Sequence, residues 1–291
     1  MIIQLNNDVI KVNVLAKGAE LCSLKFVNEN TEYIWNADPV YWNRHSPVLF
    51  PIVGKVVNNQ YQLDTSTYHL GQHGFARNME FSVADQSNTH VSMILEWNDE
   101  TLKVYPYKFE LMITYTLIKN SIVIEYRVKN VDNKNIFFSI GGHPGFNCPL
   151  NEDESFNDYY LEFEKNEDAS ITAITKEGLL KRDKVAYLNN QNIIEMNDKV
   201  FKEGALIFDN LRSTRISLKS KKSQKCVHVD FEGFPFLGLW SSSNDASFVC
   251  IEPWVGHADY EDFIDDFTRK EDQTCLSAQK VFTRKFDITI E

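Results

Sequence analysis

Strict alternation of apolar and polar residues dominates the chain. Phe109, Leu111, Ile113, Tyr115 and Leu117 alternate with Glu110, Met112, Thr114 and Thr116, and Ile122, Ile124, Tyr126 and Val128 alternate with Val123, Glu125, Arg127 and Lys129. A period of two marks a strand buried on one side, and the turn Lys119-Asn120-Ser121 between the two runs predicts an antiparallel hairpin. Shorter apolar runs over 9–14 and 20–27, separated by clusters of Asn, Asp and Gly, read as further strands and turns. Phe282, Arg284, Phe286, Ile288 and Ile290 share one face of a last strand, while 165–203 is more polar and holds weaker strand candidates. Helical spacing is sparse. Tyr260, Phe263, Ile264 and Phe267 predict a short helix over 257–267, and Asp38 before Pro39 predicts one helical turn ending near Asn43. One-sided strands must bury their apolar faces against one another, so the expected fold class is all-β, antiparallel sheets packed on sheets with few short helices. Without a repeat or a linker, residues 1–291 are expected to form one domain.

Hydrophobic residues make up 43% and aromatics 13% of the 291 residues, enough for a large core and too much for a disordered chain. The formal net charge of -11 argues against nucleic acid or an anionic membrane as partner, since both require a basic face. A small phosphorylated ligand held by one or two local arginines stays compatible with it. The five cysteines are scattered without CxxC spacing, which suggests neither a disulfide framework nor a zinc site and points to a reducing compartment. The first residues lack a signal-peptide profile and no run is long enough to span a bilayer, so a cytoplasmic protein is expected.

Three stretches interrupt the alternation with chemistry. The apolar run Ile136–Ile140 leads into Gly141-Gly142-His143-Pro144-Gly145-Phe146-Asn147, where two glycines free the backbone and Pro144 fixes φ beyond the histidine. Gly71-Gln72-His73-Gly74-Phe75-Ala76-Arg77 presents a second histidine between glycines. In Phe248–Gly256, Glu252 ends an apolar run, where a carboxylate is costly unless paired or useful, and Pro253 is expected to stop the ladder beyond it. His228, opposite the valines of Val227-His228-Val229, reads as a surface strand residue. No GxSxG elbow, phosphate-binding GxxxxGK[ST] loop or GxGxxG turn is present. A metal bound by His45, His73, His143 and a carboxylate stays open, although no HxH or HExxH pair places two ligands on one element. An imidazole and a carboxylate with separate tasks suit general acid and base chemistry on a neutral polyol.

Taken together and in order, the segment Arg44–Gly54, Gln72-His73-Gly74-Phe75-Ala76-Arg77, Gly142-His143-Pro144-Gly145-Phe146-Asn147 and Glu252-Pro253-Trp254 resemble the aldose 1-epimerase (galactose mutarotase-like) superfamily, in detail its LacX-type branch. The resemblance implies a large antiparallel β-supersandwich with a sugar cleft across one sheet, and neither metal nor organic cofactor. It implies Glu252 as the base that takes the proton of the anomeric hydroxyl O1 and His143 as the acid that protonates the ring oxygen O5. His73 is similar to a histidine that hydrogen-bonds the ring oxygen or a neighbouring hydroxyl, and Arg44 to a substrate-binding arginine. Trp254 is either an apolar face for the sugar or a core residue. Asp209 is placed by position alone as the aspartate that holds sugar hydroxyls, with a simple turn aspartate as the alternative. Arg77 is similar to an arginine of the hexose-6-phosphate branch, with pairing to Glu80 or bracing of the loop as the alternative. The expected partner is a small aldose, phosphorylated or not, with no nucleic acid and no membrane, and the chain is expected to be a monomer or homodimer. A non-catalytic sugar-binding protein and a metal-dependent isomerase remain as competing classes.

Overall fold

A computed structural model describes residues 1–243 and 246–291. Strands make up 52% of it and helices 6%, and the strand ladders are antiparallel, as the alternation predicts. The hairpin Phe109–Ile118 and Ser121–Asn130 is paired along its full length, from Ser121 opposite Ile118 to Asn130 opposite Phe109. Its buried residues are the predicted set, Phe109 to Leu117 and Ile122 to Val128 at every second position, together with Asn130. This hairpin lies within a 15-stranded sheet; a separate three-stranded sheet from the first residues and two two-stranded ribbons complete the architecture. The buried faces of the small and large sheets share one apolar core that runs from Ile3 to Ile290, the layered β-supersandwich expected for the fold. No helix among the described residues is long and apolar enough to cross a membrane.

Two helical expectations fail for identifiable reasons. Residues 257–267 do not coil: Tyr260 pairs with Leu180 as an isolated bridge, Ile264 is 94% exposed, and a 3-10 turn begins only at Phe267. The apolar groups there belong to different packing sites and not to one helical face; Tyr260 lies under the Arg182 guanidinium at 3.8 Å, whereas Phe267 packs on Tyr61. Asp38–Asn43 is a hydrogen-bonded turn without helix. The α-helix is instead Asp99–Val104, begun by a capping box in which Asn98 accepts from the Thr101 amide and Thr101 Oγ1 from the Asn98 amide. The polar region 165–203 contributes most of a long hairpin, Tyr159–Ile174 with Leu180–Glu195. Register shifts along that pair explain why its periodicity is weak in the sequence.

The strand Phe248–Val255 organises one end of the large sheet. Its period of two divides it cleanly: Val249, Ile251 and Val255 enter the main core, while Phe248, Cys250 and Trp254 join two smaller apolar clusters on the other face. Glu252 falls between Cys250 and Trp254 on that second face. The ladder continues past Pro253, with Trp254 opposite both Gly141 and Phe236. The Ile251 amide donates to the Pro144 carbonyl at 3.2 Å, so two residues on the missing donor of Pro253 faces the same neighbour, where that neighbour is itself interrupted.

Candidate active site

The interrupted neighbour carries His143. Ile140–Gly142 and Gly145–Asn147 are two short strands, and both pair with Phe248–Val255: Ile140 and Gly141 lie opposite Val255 and Trp254, and Gly145 and Phe146 opposite Cys250 and Val249. The register is the same on both sides of the gap. It therefore sets His143 directly opposite Glu252, and directly opposed residues project on the same face with Cβ atoms about 4.5–5.5 Å apart. The side chains meet: His143 Nε2 lies 3.1 Å from Glu252 Oε2. Glycines at 141 and 142 do not bend the chain, as expected from the sequence, but make room. A Cβ at Gly141 would come within 2.6 Å of the Trp254 ring, and one at Gly142 within 2.8 Å of the Tyr126 hydroxyl.

Both members of the pair are almost wholly buried, Glu252 at 2% exposure and His143 at 7%. Burial disfavours either charge: it raises the Glu252 carboxyl well above its ordinary range, with the Trp254 indole pulling weakly the other way. Burial and the positive Arg77 hold the His143 imidazole down to about 3. The buried pair thus favours the neutral acid beside the neutral imidazole, with one proton between them. His143 Nδ1 is buried without a protein partner.

His73 stands beside this pair, its ring 5.5 Å from that of His143 and edge-on to it. It adopts the left-handed conformation, φ 64, between two segments that hold it. The Gly54 amide donates to His73 Nδ1 at 3.0 Å, which leaves the ring proton on Nε2. Burial, then His143, Arg77 and Lys55, keep the ring well below the ordinary histidine range, so His73 is a neutral donor. This tautomer suits donation to an oxygen and not proton exchange.

Around these groups lies a cleft of about 490 Å³, with Trp42, Trp240 and Trp254 as its aromatic walls. Trp42 stacks on the His143 ring at 4.8 Å and 30°, and Trp240 meets the same ring edge-on at 5.7 Å. Only Trp254 stands out in the sequence; Trp42 hides in a turn and Trp240 ends the strand Phe236–Trp240, and neither neighbourhood carries a polar signal. Gly238 is bare because the Trp254 indole lies on it, where a Cβ would approach Cζ2 to 2.5 Å.

Arg77 lines the cleft and donates to the Gln72 carbonyl at 2.6 Å. It forms no ion pair with Glu80 among the described residues; burial and the neighbouring Arg44 lower its guanidinium to about 10. Lys176 and Glu203 also line the cleft. Two expected site residues are placed elsewhere. Arg44 does not line the cleft: it donates to the Arg77 carbonyl at 3.1 Å and to Asn78 Oδ1 at 2.5 Å, and so braces the loop behind Arg77. Asp209 ends the strand Leu206–Asp209 and pairs with Lys184 at 2.5 Å, while Ile207 of the same strand reaches the cleft. His45 is also outside it, its Nδ1–H donating to the Trp35 carbonyl at 2.7 Å. Beside the cleft, the metal-ligating residue types that converge among the described residues are His143, Cys250 and Glu252, whose ligating atoms lie within 4.8 Å of one another.

The family model of aldose 1-epimerase matches residues 1–266. The chromosomal LacX protein of Lactococcus lactis subsp. lactis is 39% identical over 264 residues, 88% of either chain. A galactose mutarotase related enzyme from Lactobacillus acidophilus superposes with a TM-score of 0.95 at 36% identity, covering 100% of this chain and 97% of that one. A galactose mutarotase-like protein from Lactobacillus casei superposes with a TM-score of 0.94 at 33% identity, covering 100% of both.

Proposed function

This chain belongs to the aldose 1-epimerase family, and we propose that it is an isomerase that interconverts the α and β anomers of a hexose by opening and reclosing the ring. The observation that carries this reading is the buried pair of Glu252 and His143 at 3.1 Å on the wall of a cleft large enough for one sugar. Glu252 takes the proton of O1 while His143 gives one to O5, so the C1–O5 bond breaks without a free alkoxide or oxocarbenium. Rotation about C1–C2 turns the other carbonyl face inward, and the reverse transfers close the ring as the other anomer. Ring opening changes the pair from carboxylate and imidazolium to carboxylic acid and imidazole. Those are two tautomers of one protonation state, so no proton has to be exchanged with water during the cycle. The buried surroundings favour the second tautomer and thereby the opened sugar.

In this reading His73 Nε2–H donates to the ring oxygen or an adjacent hydroxyl. Trp42 and Trp254 offer flat apolar faces to the C–H side of a pyranose. A non-catalytic sugar receptor would need these walls but not a buried carboxylate held against an imidazole, whose desolvation is costly.

A second reading, a hexose 6-phosphate as substrate, is favoured by Arg77. It lines the cleft with no carboxylate pairing it among the described residues, and its Nε is buried without a partner. A guanidinium in that state suits bidentate binding of phosphate. Polarimetry on freshly dissolved α-D-glucose and α-D-galactose, with anomer exchange of glucose 6-phosphate followed by NMR, tests both readings. Acceleration of one or more of these supports isomerase activity, whereas binding without acceleration supports a receptor.

A further inference from the structure

Far along the sheet from the cleft-forming strands, three side chains meet that play no part in the proposed reaction. Cys226 and His228 alternate on one face of the strand Cys226–Asp230, two residues apart and therefore on the same side. Glu291 follows the strand Val281–Ile290 and exchanges two backbone hydrogen bonds with Cys226, each 3.0 Å, so its side chain is brought beside the thiol. Cys226 Sγ lies 3.3 Å from His228 Nε2 and 3.5 Å from Glu291 Oε2, and His228 Nε2 lies 3.6 Å from Glu291 Oε1. We propose that Cys226, His228 and Glu291 bind a divalent transition cation of the Zn²⁺ class.

The distances carry the assignment. Tetrahedral Zn²⁺, with Zn–S about 2.3 Å and Zn–N or Zn–O about 2.0–2.2 Å, holds its ligand atoms about 3.4–3.6 Å from one another. The three pairs are close to those separations, with a different Glu291 oxygen toward each partner, and one ligand atom from each residue falls within 4.8 Å of the others, so only the exposed Glu291 carboxylate has to turn to present one oxygen to both. A thiolate, an imidazole and a carboxylate form a mixed set that suits Zn²⁺ and not Mg²⁺ or Ca²⁺, which take oxygen ligands. Ser217, opposite His228 in the next strand, lies 2.7 Å from its Nδ1. As acceptor from Nδ1–H, the Ser217 hydroxyl leaves the Nε2 lone pair facing the other donors, the usual outer support of a metal-bound histidine. Glu291 is on the solvent side, so a fourth position is open to water. Coordination sends the thiol proton to solvent, and affinity accordingly rises with pH. The cation ties the segment at Glu291 to the middle of the large sheet.

The test titrates the full chain, first freed of metal with chelator, with Co²⁺ and then Zn²⁺. Expected are a thiolate-to-cobalt charge-transfer band and tetrahedral d–d absorption that saturate at stoichiometric Co²⁺ and vanish on addition of Zn²⁺. Cys226→Ser should lose the charge-transfer band, with an unchanged circular dichroism spectrum as its check on folding, and Glu291→Gln, altered on the exposed side, should bind more weakly. Ser217→Ala should weaken Zn²⁺ by about 10–100-fold. Cys250→Ala, which removes the buried thiol beside His143 and Glu252, should keep the band. No band in the wild-type protein, or a band that persists in Cys226→Ser, overturns the site.

Discussion

His143 and Glu252 form a directly opposed cross-strand pair, although 109 positions separate them in the sequence. Their 3.1 Å contact follows from the common register of the two short strands that flank His143, so neighbouring strands position the acid and the base of the proposed reaction.

The pH dependence of turnover should reflect a pair that works with one shared proton. A second proton stops Glu252 from acting as base, but it must enter a His143 ring held down to about 3, so the acid limb of kcat/KM falls well below the ordinary histidine value. Loss of the shared proton stops His143 from acting as acid. Burial opposes the charge left on Glu252, so the alkaline limb lies above the ordinary carboxylate range. A profile measured from acid to alkaline pH is expected to show a wide plateau between these limbs. An acid limb centred on the unperturbed histidine value of 6.5 would contradict it.

Arg77 separates the two substrate readings. If phosphate is bound there, Arg77→Gln removes charge-assisted hydrogen bonds worth about 1.5–3 kcal/mol and weakens glucose 6-phosphate by about 10–100-fold, with glucose little changed. Equal loss for both sugars, measured as kcat/KM on each, would mean that Arg77 braces the cleft and reads no phosphate.

Acid and base suffice for the proposed ring opening, so chelator treatment should leave anomer exchange at its untreated rate. Activity that vanished with chelator and returned with a divalent ion would place a metal at His143, Cys250 and Glu252 and replace proton transfer by this pair with metal-assisted ring opening. Loss of zinc from Cys226, His228 and Glu291 is expected to lower thermal stability without slowing turnover.

Lys270 and Asp259 form a wholly buried ion pair at 2.6 Å, and the second Asp259 oxygen accepts from the Val57 amide at 3.0 Å. The same segment returns a hydrogen bond from the Asp259 amide to the Lys55 carbonyl. Lys270→Ala leaves Asp259 unpaired and should destabilise the fold by about 3–5 kcal/mol, read by urea denaturation. Replacement of both residues by apolar groups of similar volume should cost much less.

Much of the fold and of the site is legible in the sequence, for physical reasons that also show the limit. A period of two survives wherever one face is wet, so the 109–130 hairpin is plain, whereas bulges blur Tyr159–Glu195. His143, His73 and Glu252 are visible because glycine, proline and a lone charge interrupt apolar runs. Their meeting is not visible, since register between strands so distant is set by the whole sheet. Arg44 and Asp209 fail differently: charge and position suggest a ligand, but an arginine also fits the carbonyls behind Arg77, and Asp209 finds Lys184 in the adjoining hairpin. Trp42 and Trp240 carry no pattern that distinguishes a cleft wall from a core.

The most direct test of the paired roles is anomer exchange by the wild type, Glu252→Gln, His143→Asn and the double variant, on whichever sugar the wild type accelerates most. Each single change should cost about 10²–10⁴ in kcat. The double variant should lose little more than either single one, because the two groups act as one unit. Near-wild-type turnover in either single variant, or no acceleration of any hexose by the folded wild type, would contradict general acid and base catalysis by this pair.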